Sequence, residues 1–115
     1  MAIKRIIVGM GAGNDLHGGD YTKAALRAVQ DALHHSSLSF IRALKLDIHA
    51  MQVTVTIGVQ HPDKVDPERV RTSLPYGQVT VTVVKGGLDV ASDEGHDLAV
   101  IASAAIIVSF DMPDT

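Results

Sequence analysis

Between residues 9 and 20 the chain reads Gly9-Met10-Gly11-Ala12-Gly13-Asn14-Asp15-Leu16-His17-Gly18-Gly19-Asp20. An apolar run precedes this stretch and an amphipathic run follows it from Tyr21, so the pattern predicts a loop that joins a strand to a helix. Its five glycines permit positive φ angles and close contact of the backbone with another group. Because two carboxylates and an imidazole lie among the glycines, we expect the functional site here.

The composition is that of a single globular domain, which we place at residues 1–115. Apolar residues make up 46% of the chain and charged residues 20%, as in ordinary folded proteins. An aromatic content of 3% and a net charge of −3 provide neither stacking platforms nor a basic surface, so we expect no nucleic-acid partner. There is no cysteine, which excludes disulfides and Cys-based zinc sites.

The sequence carries no membrane signal. Residues 1–8 lack the apolar core and cleavage site of a signal peptide. The apolar run at residues 98–110 is shorter than a membrane-spanning helix. We therefore expect a cytoplasmic protein with no membrane partner.

Hydrophobic periodicity predicts the first elements of the fold. A helix from Tyr21 to about His34, with Asp20 as its N-cap, has one apolar face. Residues 51–60 and 78–84 alternate between apolar and polar side chains, which predicts two strands. Between these strands lies a short helix with Asp66 as its N-cap.

The last run, at residues 98–110, is apolar on both faces, and its β-branched residues favour a long strand over a buried helix. The order β-α-β-α-β-β then predicts an α+β two-layer sandwich, with a mixed four-stranded sheet and helices on one face. With so small a core, we expect the other face to meet solvent or a second copy in a homo-oligomer. This face is predicted to be rich in threonine, from Thr54, Thr56, Thr80 and Thr82.

Parallel strands would bring several motifs to one edge of the sheet. If the first three strands are parallel, their carboxyl ends meet where ligands bind in open α/β sheets. The last strand would begin at the same edge and bring Glu94, His96 and Asp97 to it. The predicted ligand-binding residues at this edge are Gly11, Gly13, Gly18, Asp20, His61, Lys85 and Gly86.

Asp15 and His17 are the predicted catalytic residues. In an extended loop, residues two apart point the same way, so the carboxylate could orient the imidazole as a general base. The same pair, with Asp20 or His61, could instead hold a divalent metal ion. A structural alternative is that Asp15 only caps the turn and that His17 packs against the loop.

The glycine spacing does not match known phosphate-binding loops. A dinucleotide fingerprint that starts at Gly11 would require a third glycine where the chain has Leu16, and no Gly-Lys-Ser/Thr follows. A phosphate at the start of the Tyr21 helix is physically possible. Asp15 and Asp20 would repel it unless a cation bridged them.

The segment 11–18 matches the pattern Gly-x-Gly-x-Asp-x-His-Gly. It resembles the N-terminal signature of a small family of conserved hypothetical proteins of bacteria and plants. Later pieces also resemble this family, namely His61-Pro62, Leu74-Pro75-Tyr76-Gly77 and Gly86-Gly87. The resemblance spans most of the chain. It implies a site at the glycine-rich stretch and supplies no substrate.

Three functions remain open at this point. The first is an enzyme, a hydrolase or isomerase that acts on a small polar substrate through Asp15 and His17. The second is a non-catalytic oligomeric module that binds a metabolite or ion in the same place. The third is a structural or interaction protein that uses its threonine-rich face.

Overall fold

The computed structural model describes residues 2–34, 52–74, 78–92 and 97–112. These form β1 (Ala2–Asp15), α1 (Tyr21–His34), β2 (Gln52–Val59), a 3₁₀ turn (Pro62–Lys64), α2 (Pro67–Thr72), β3 (Gln78–Lys85), β4 (Leu88–Ala91) and β5 (Leu98–Met112). This described part is an α+β structure with a mixed, open sheet of five strands and two α-helices. None of its helices is long and apolar enough to cross a membrane.

The strand order of the sheet is β1-β5-β2-β3, and β4 also pairs with β5. β5 is antiparallel to β1, β2 and β4, whereas β2 and β3 are parallel. It follows that β1, β2 and β3 run in one direction and end at the same edge, which we call the carboxyl edge, and that β5 begins there. The predicted two-layer α+β fold is confirmed. β4, which was not among the predicted strands, adds a fifth strand to the four predicted.

β5 is the central strand. It pairs with β1 from Ala2↔Met112 to Asp15↔Val100, with an irregularity between Ile7 and Gly9. On its other side it pairs first with β4 and then with β2. Alternate β5 residues, from Val100 to Val108, are buried against the helices. The residues of β5 that alternate with these are also mostly apolar, and the prediction of a strand rather than a helix is confirmed.

The helices cover one face of the sheet. Asp20 caps α1 by accepting the Lys23 N–H at 3.0 Å. Asp66 caps α2 by accepting the Glu68 and Arg69 N–H groups, as predicted. The buried face of α1 consists mainly of small residues, namely Ala24, Ala25, Ala28, Val29 and Ala32. It lies mainly against β1 and β5 and shares one core with the inward residues of β2, which are Val53, Val55, Ile57 and Val59.

The predicted boundary between the first strand and its loop is wrong, because β1 continues to Asp15. Gly11 and Gly13 lie within the strand and face α1. A Cβ atom on Gly13 would lie 2.2 Å from the Ala28 backbone nitrogen, and one on Gly11 would lie 2.4 Å from the Ala32 nitrogen. These two glycines therefore let β1 and α1 come into direct backbone contact.

The turn into α1 depends on the positive φ angles that glycine permits. Gly18 and Gly19 have φ angles of 95° and 62°, in the left-handed region that side chains with a Cβ rarely adopt. The turn reverses the chain between the end of β1 and the first residue of α1. It lies at the carboxyl edge.

Candidate functional site

A crevice of about 420 Å³ lies at the carboxyl edge, beside the turn that precedes α1. Its position follows from the topology, since β1 and β2 end at this edge and β5 begins there. The lining residues come from the turn, the first residue of α1, the 3₁₀ turn, the end of β4 and the start of β5. They are Gly18, Gly19, Tyr21, Lys64, Ala91, Asp97 and Leu98.

Asp97 joins the start of β5 to the turn. Its Oδ2 lies 2.6 Å from His17 Nδ1, and its Oδ1 accepts the Gly18 N–H at 3.1 Å. The hydrogen bond with His17, followed by the one from Gly18, lowers the pKa of Asp97 from its ordinary value. The His17 side chain is 84% exposed. The imidazole is therefore held at one nitrogen by a carboxylate while most of the ring remains accessible.

A second polar group lies next to the crevice. The Tyr21 hydroxyl donates a hydrogen bond to Asp89 Oδ2, and His61 Nε2 lies 3.7 Å from the same oxygen. The Tyr21 and His61 rings meet edge to face, with their centroids 5.5 Å apart. Burial, together with the hydrogen bond to Asp89, raises the pKa of Tyr21 to about 12. The phenol therefore remains a hydrogen-bond donor at neutral pH.

Lys64 supplies a cationic side chain to the crevice. Its Nζ lies 5.5 Å from the centroid of the Tyr21 ring, where the electron-rich face of the ring attracts a cation. Thr22 fixes the backbone that carries Lys64, because its hydroxyl donates to the Lys64 carbonyl at 3.4 Å and accepts the Asp66 N–H at 3.0 Å. The crevice thus has both a cationic and an anionic side chain in its lining.

Asp15 and His17, the predicted catalytic pair, are not paired with each other. Asp15 is buried and accepts the Asp20 N–H at 2.9 Å. Its other carboxylate oxygen lies 3.7 Å from Arg27 and 3.9 Å from Lys23. This arrangement corresponds to the structural alternative for Asp15, in which it caps the turn. His17 is oriented by Asp97 instead.

Apart from Lys85 and Gly86, the other predicted ligand-binding residues separate into those at or beside the crevice and those with a structural role. Gly18 lines the crevice, and His61 lies beside Tyr21 in the adjacent polar group. Asp20 is occupied as the cap of α1. Gly11 and Gly13 contact the α1 backbone rather than a space open to a ligand.

Lys85 and Gly86 lie apart from the crevice. They line a different concavity, of about 270 Å³, which also contains Met10 and Ser103 and lies on the face of the sheet opposite the helices. Glu94 and His96, which were also expected at the carboxyl edge, lie outside the described residues.

The described ranges contain no group of three or more His, Asp or Glu side chains that could hold a metal ion. Of the two predicted metal ligands, Asp15 is turned towards Lys23 and Arg27, and His17 towards Asp97. The donor set of the metal hypothesis is therefore not assembled in this part of the chain.

Three residues of the site were missed at the sequence level. Tyr21 was interpreted only as the first helical residue, and Lys64 was not singled out. Asp89 lies in β4, a strand of four residues that is too short to show periodicity. Asp97 was expected at this edge, but its pairing with His17 spans 80 residues of sequence and has no local signal.

Comparison with known proteins shows that most of the chain is similar to one solved structure and to one protein family. The chain is similar to an FtsZ-like protein of unknown function from Nostoc punctiforme PCC 73102, with 36% identity and a TM-score of 0.82. The match covers 97% of this chain and 99% of that chain. A search of curated proteins found no match. A family model described as "Conserved hypothetical protein (Lin0512_fam)" matches residues 5–108. The chain therefore belongs to this family of conserved hypothetical proteins.

Proposed function

We propose that the crevice at the carboxyl edge binds a small polar molecule. One observation carries this proposal: a cavity of about 420 Å³ brings together Lys64, Asp97 and the backbone of the Gly18-Gly19 turn. Cavities of roughly 300 to 1,000 Å³ are typical of small-molecule sites. Side chains of both charges in one cavity favour a ligand that has an acidic group and hydrogen-bond donors over a bare anion.

A thermal-shift screen against polar metabolites and divalent cations tests the proposal. A ligand at a concentration about a hundredfold above its Kd stabilises the native state by roughly 2.7 kcal/mol, which such a screen detects. We expect at least one polar metabolite to raise the Tm of the wild type, and we expect Lys64→Met and Asp97→Asn to lose that shift.

Arg69→Met provides the matched control, since Arg69 is an exposed cation on α2 outside the crevice lining. It should keep the full shift. The proposal fails if no compound shifts the wild type, or if the shift persists in both crevice variants.

The His17–Asp97 contact favours a second candidate function, acid–base catalysis on the bound molecule. An aspartate 2.6 Å from Nδ1 orients the ring and fixes its tautomer, so that the other ring nitrogen can act as a general base. The reaction class would be a proton-transfer hydrolysis or isomerisation. The molecule found in the screen is its test substrate.

Under this second function, His17→Gln should keep the thermal shift but lower turnover by about 10² to 10⁴, the usual contribution of a general base. If the wild type binds the molecule without converting it, or if His17→Gln leaves turnover unchanged, catalysis by His17 is excluded. The protein is then a binding module.

A further inference from the structure

A second, smaller cavity adjoins the crevice at the carboxyl edge. Its volume is about 190 Å³, and Ala91 and Asp97 line both spaces. The other residues around the smaller cavity come from the turn after β1, from β4 and the residue that follows it, and from the start of β5. They are Leu16, His17, Val90, Ser92 and Ala99. A molecule that occupies both cavities therefore passes Ala91 and Asp97.

The two cavities lie on opposite sides of the carboxyl edge. Side chains alternate between the two faces of a sheet along each strand. Val100 is buried against the helices, so Leu98 points to the same side, where it lines the crevice. Ala99 points to the opposite face, and its partner in β4 is Val90. The smaller cavity therefore opens on the face opposite the helices, and Asp97 lies between it and the crevice.

The smaller cavity has a lining that suits an apolar group. Leu16 and Val90 line it and are 58% and 47% exposed. Contact of these side chains with water is unfavourable, and an apolar group that covers them removes this contact. A cavity of roughly 150 Å³ can hold a benzene molecule, so the smaller cavity has room for a short hydrocarbon chain.

The polar border of the smaller cavity favours part of the crevice ligand as its occupant. His17 and Asp97 lie on this border, and Asp97 also lines the crevice. A purely apolar occupant would cover these two side chains without offering them a hydrogen-bond partner, which is costly. A ligand that continues from the crevice presents a polar group to Asp97 and an apolar group to the cavity beyond it.

The lining residues also indicate the order of the groups along such a ligand. Lys64 lines only the crevice, Asp97 lines both cavities, and Leu16 and Val90 line only the smaller one. We propose that the ligand is an amphiphilic acid, such as an N-acyl amino acid. Its acidic group faces Lys64, an N–H or O–H donor faces Asp97, and its apolar chain fills the smaller cavity. This inference rests on the proposed binding function of the crevice and names the class of its ligand.

Isothermal titration calorimetry with N-acetylglycine, N-butanoylglycine and N-hexanoylglycine tests this class. The three probes share a carboxylate and an amide N–H and differ only in the length of the apolar chain. Burial of one methylene group strengthens binding by roughly fourfold. We therefore expect the Kd for the wild type to fall by about an order of magnitude from the acetyl to the butanoyl probe.

A double variant, Leu16→Gln with Val90→Thr, makes the lining of the smaller cavity polar with little change in side-chain size. It should bind N-acetylglycine as the wild type does and lose the gain with chain length. Met10→Gln with Val84→Thr is the matched control, because Met10 and Val84 are exposed apolar residues outside both linings. The control should keep the full gain.

Lys64→Met separates the ligand class from the binding function of the crevice. Loss of affinity for all three probes in this variant supports a carboxylate at Lys64. If the probes depend on Lys64 but bind equally at every chain length, or if the gain persists in the folded double variant, the apolar subsite is wrong and the crevice function stands. If no probe binds the wild type, or if Lys64→Met binds them unchanged, the ligand class is wrong, and the metabolite screen decides the crevice function separately. If the double variant does not fold, Val90→Thr alone decides, and an undiminished gain there refutes the subsite.

Discussion

At the scale of single residues, Asp97 is the centre of the candidate site. Its carboxylate contacts the His17 imidazole and the Gly18 N–H, and it also lines the crevice. One side chain therefore orients the candidate base, fixes the turn before α1 and supplies the anionic part of the crevice lining. Substitution of Asp97 should affect both stability and binding.

The contribution of Asp97 to stability should depend on pH. Because the contacts with His17 and Gly18 lower its pKa in the folded state, the ionised carboxylate stabilises the fold above the unfolded-state pKa, about 3.9. This stabilisation is lost as the pH falls through the lower, folded-state pKa. Asp97→Asn should therefore lower the free energy of unfolding at neutral pH, and the difference from wild type should shrink in acid. Denaturant unfolding of both proteins across pH measures it, and a difference independent of pH would contradict the assigned contacts.

The spacing of Asp15 and His17 in the sequence does not predict how their side chains are oriented. Residues two apart point the same way only in extended backbone, and β1 ends at Asp15. His17 already belongs to the turn, in which Gly18 has a positive φ. The two side chains therefore diverge, one towards Lys23 and Arg27 and the other towards Asp97. The glycine-rich stretch lies beside the candidate site, but its spacing did not predict which side chains pair there.

At the scale of elements, the contact between β1 and α1 is made by backbone on both sides. Gly11 and Gly13 of the strand lie against Ala28 and Ala32 of the helix. The alternation of glycine in the strand matches the small buried face of the helix. The sequence contained this signal, but glycines in a row of apolar residues also predict a loop, and that interpretation placed the end of β1 too early.

Gly13→Ala should destabilise the protein strongly. The added methyl group would lie 2.2 Å from the Ala28 nitrogen, and the helix backbone cannot move aside as a flexible side chain can. We expect the free energy of unfolding to fall by about 1–3 kcal/mol or more, since 1–3 kcal/mol is the usual cost of overpacking. Urea denaturation measures it, with Ala12→Ser as the control, because Ala12 is exposed and should change by less than about 0.5 kcal/mol. Equal stabilities of the two variants would refute the packing role of Gly13.

One hydroxyl group links α1 to the segment before α2. Thr22 is buried and links the Lys64 carbonyl to the Asp66 N–H. Thr22→Val keeps the shape but leaves both groups without this partner, so we expect a loss of about 1 kcal/mol or more in unfolding free energy. Thr82→Val, at an exposed position in β3, is the matched control and should be nearly neutral. A Thr22→Val protein as stable as the control would show that the link is dispensable.

At the scale of the whole molecule, the strand directions determine where the candidate site lies. The alternation of strands and helices predicted parallel strands, because the helix between two strands returns the chain to the edge at which the first strand began. This rule needs no residue contacts, which is why the carboxyl edge was predicted correctly. The contacts within the edge, such as Tyr21 with Asp89 across 68 residues, depend on how the layers pack and leave no periodic signal.

The most direct test of the binding site is an amide chemical-shift titration of isotope-labelled protein with the metabolites and divalent cations of the screen. Binding in the crevice predicts saturable shifts of the Gly18, Gly19 and Leu98 amide signals, while those of Thr80 and Thr82, on the face of the sheet opposite the helices, stay in place. If no probe moves any signal, or if the signals that move cluster away from the crevice, the assignment of the carboxyl edge as the functional site is wrong.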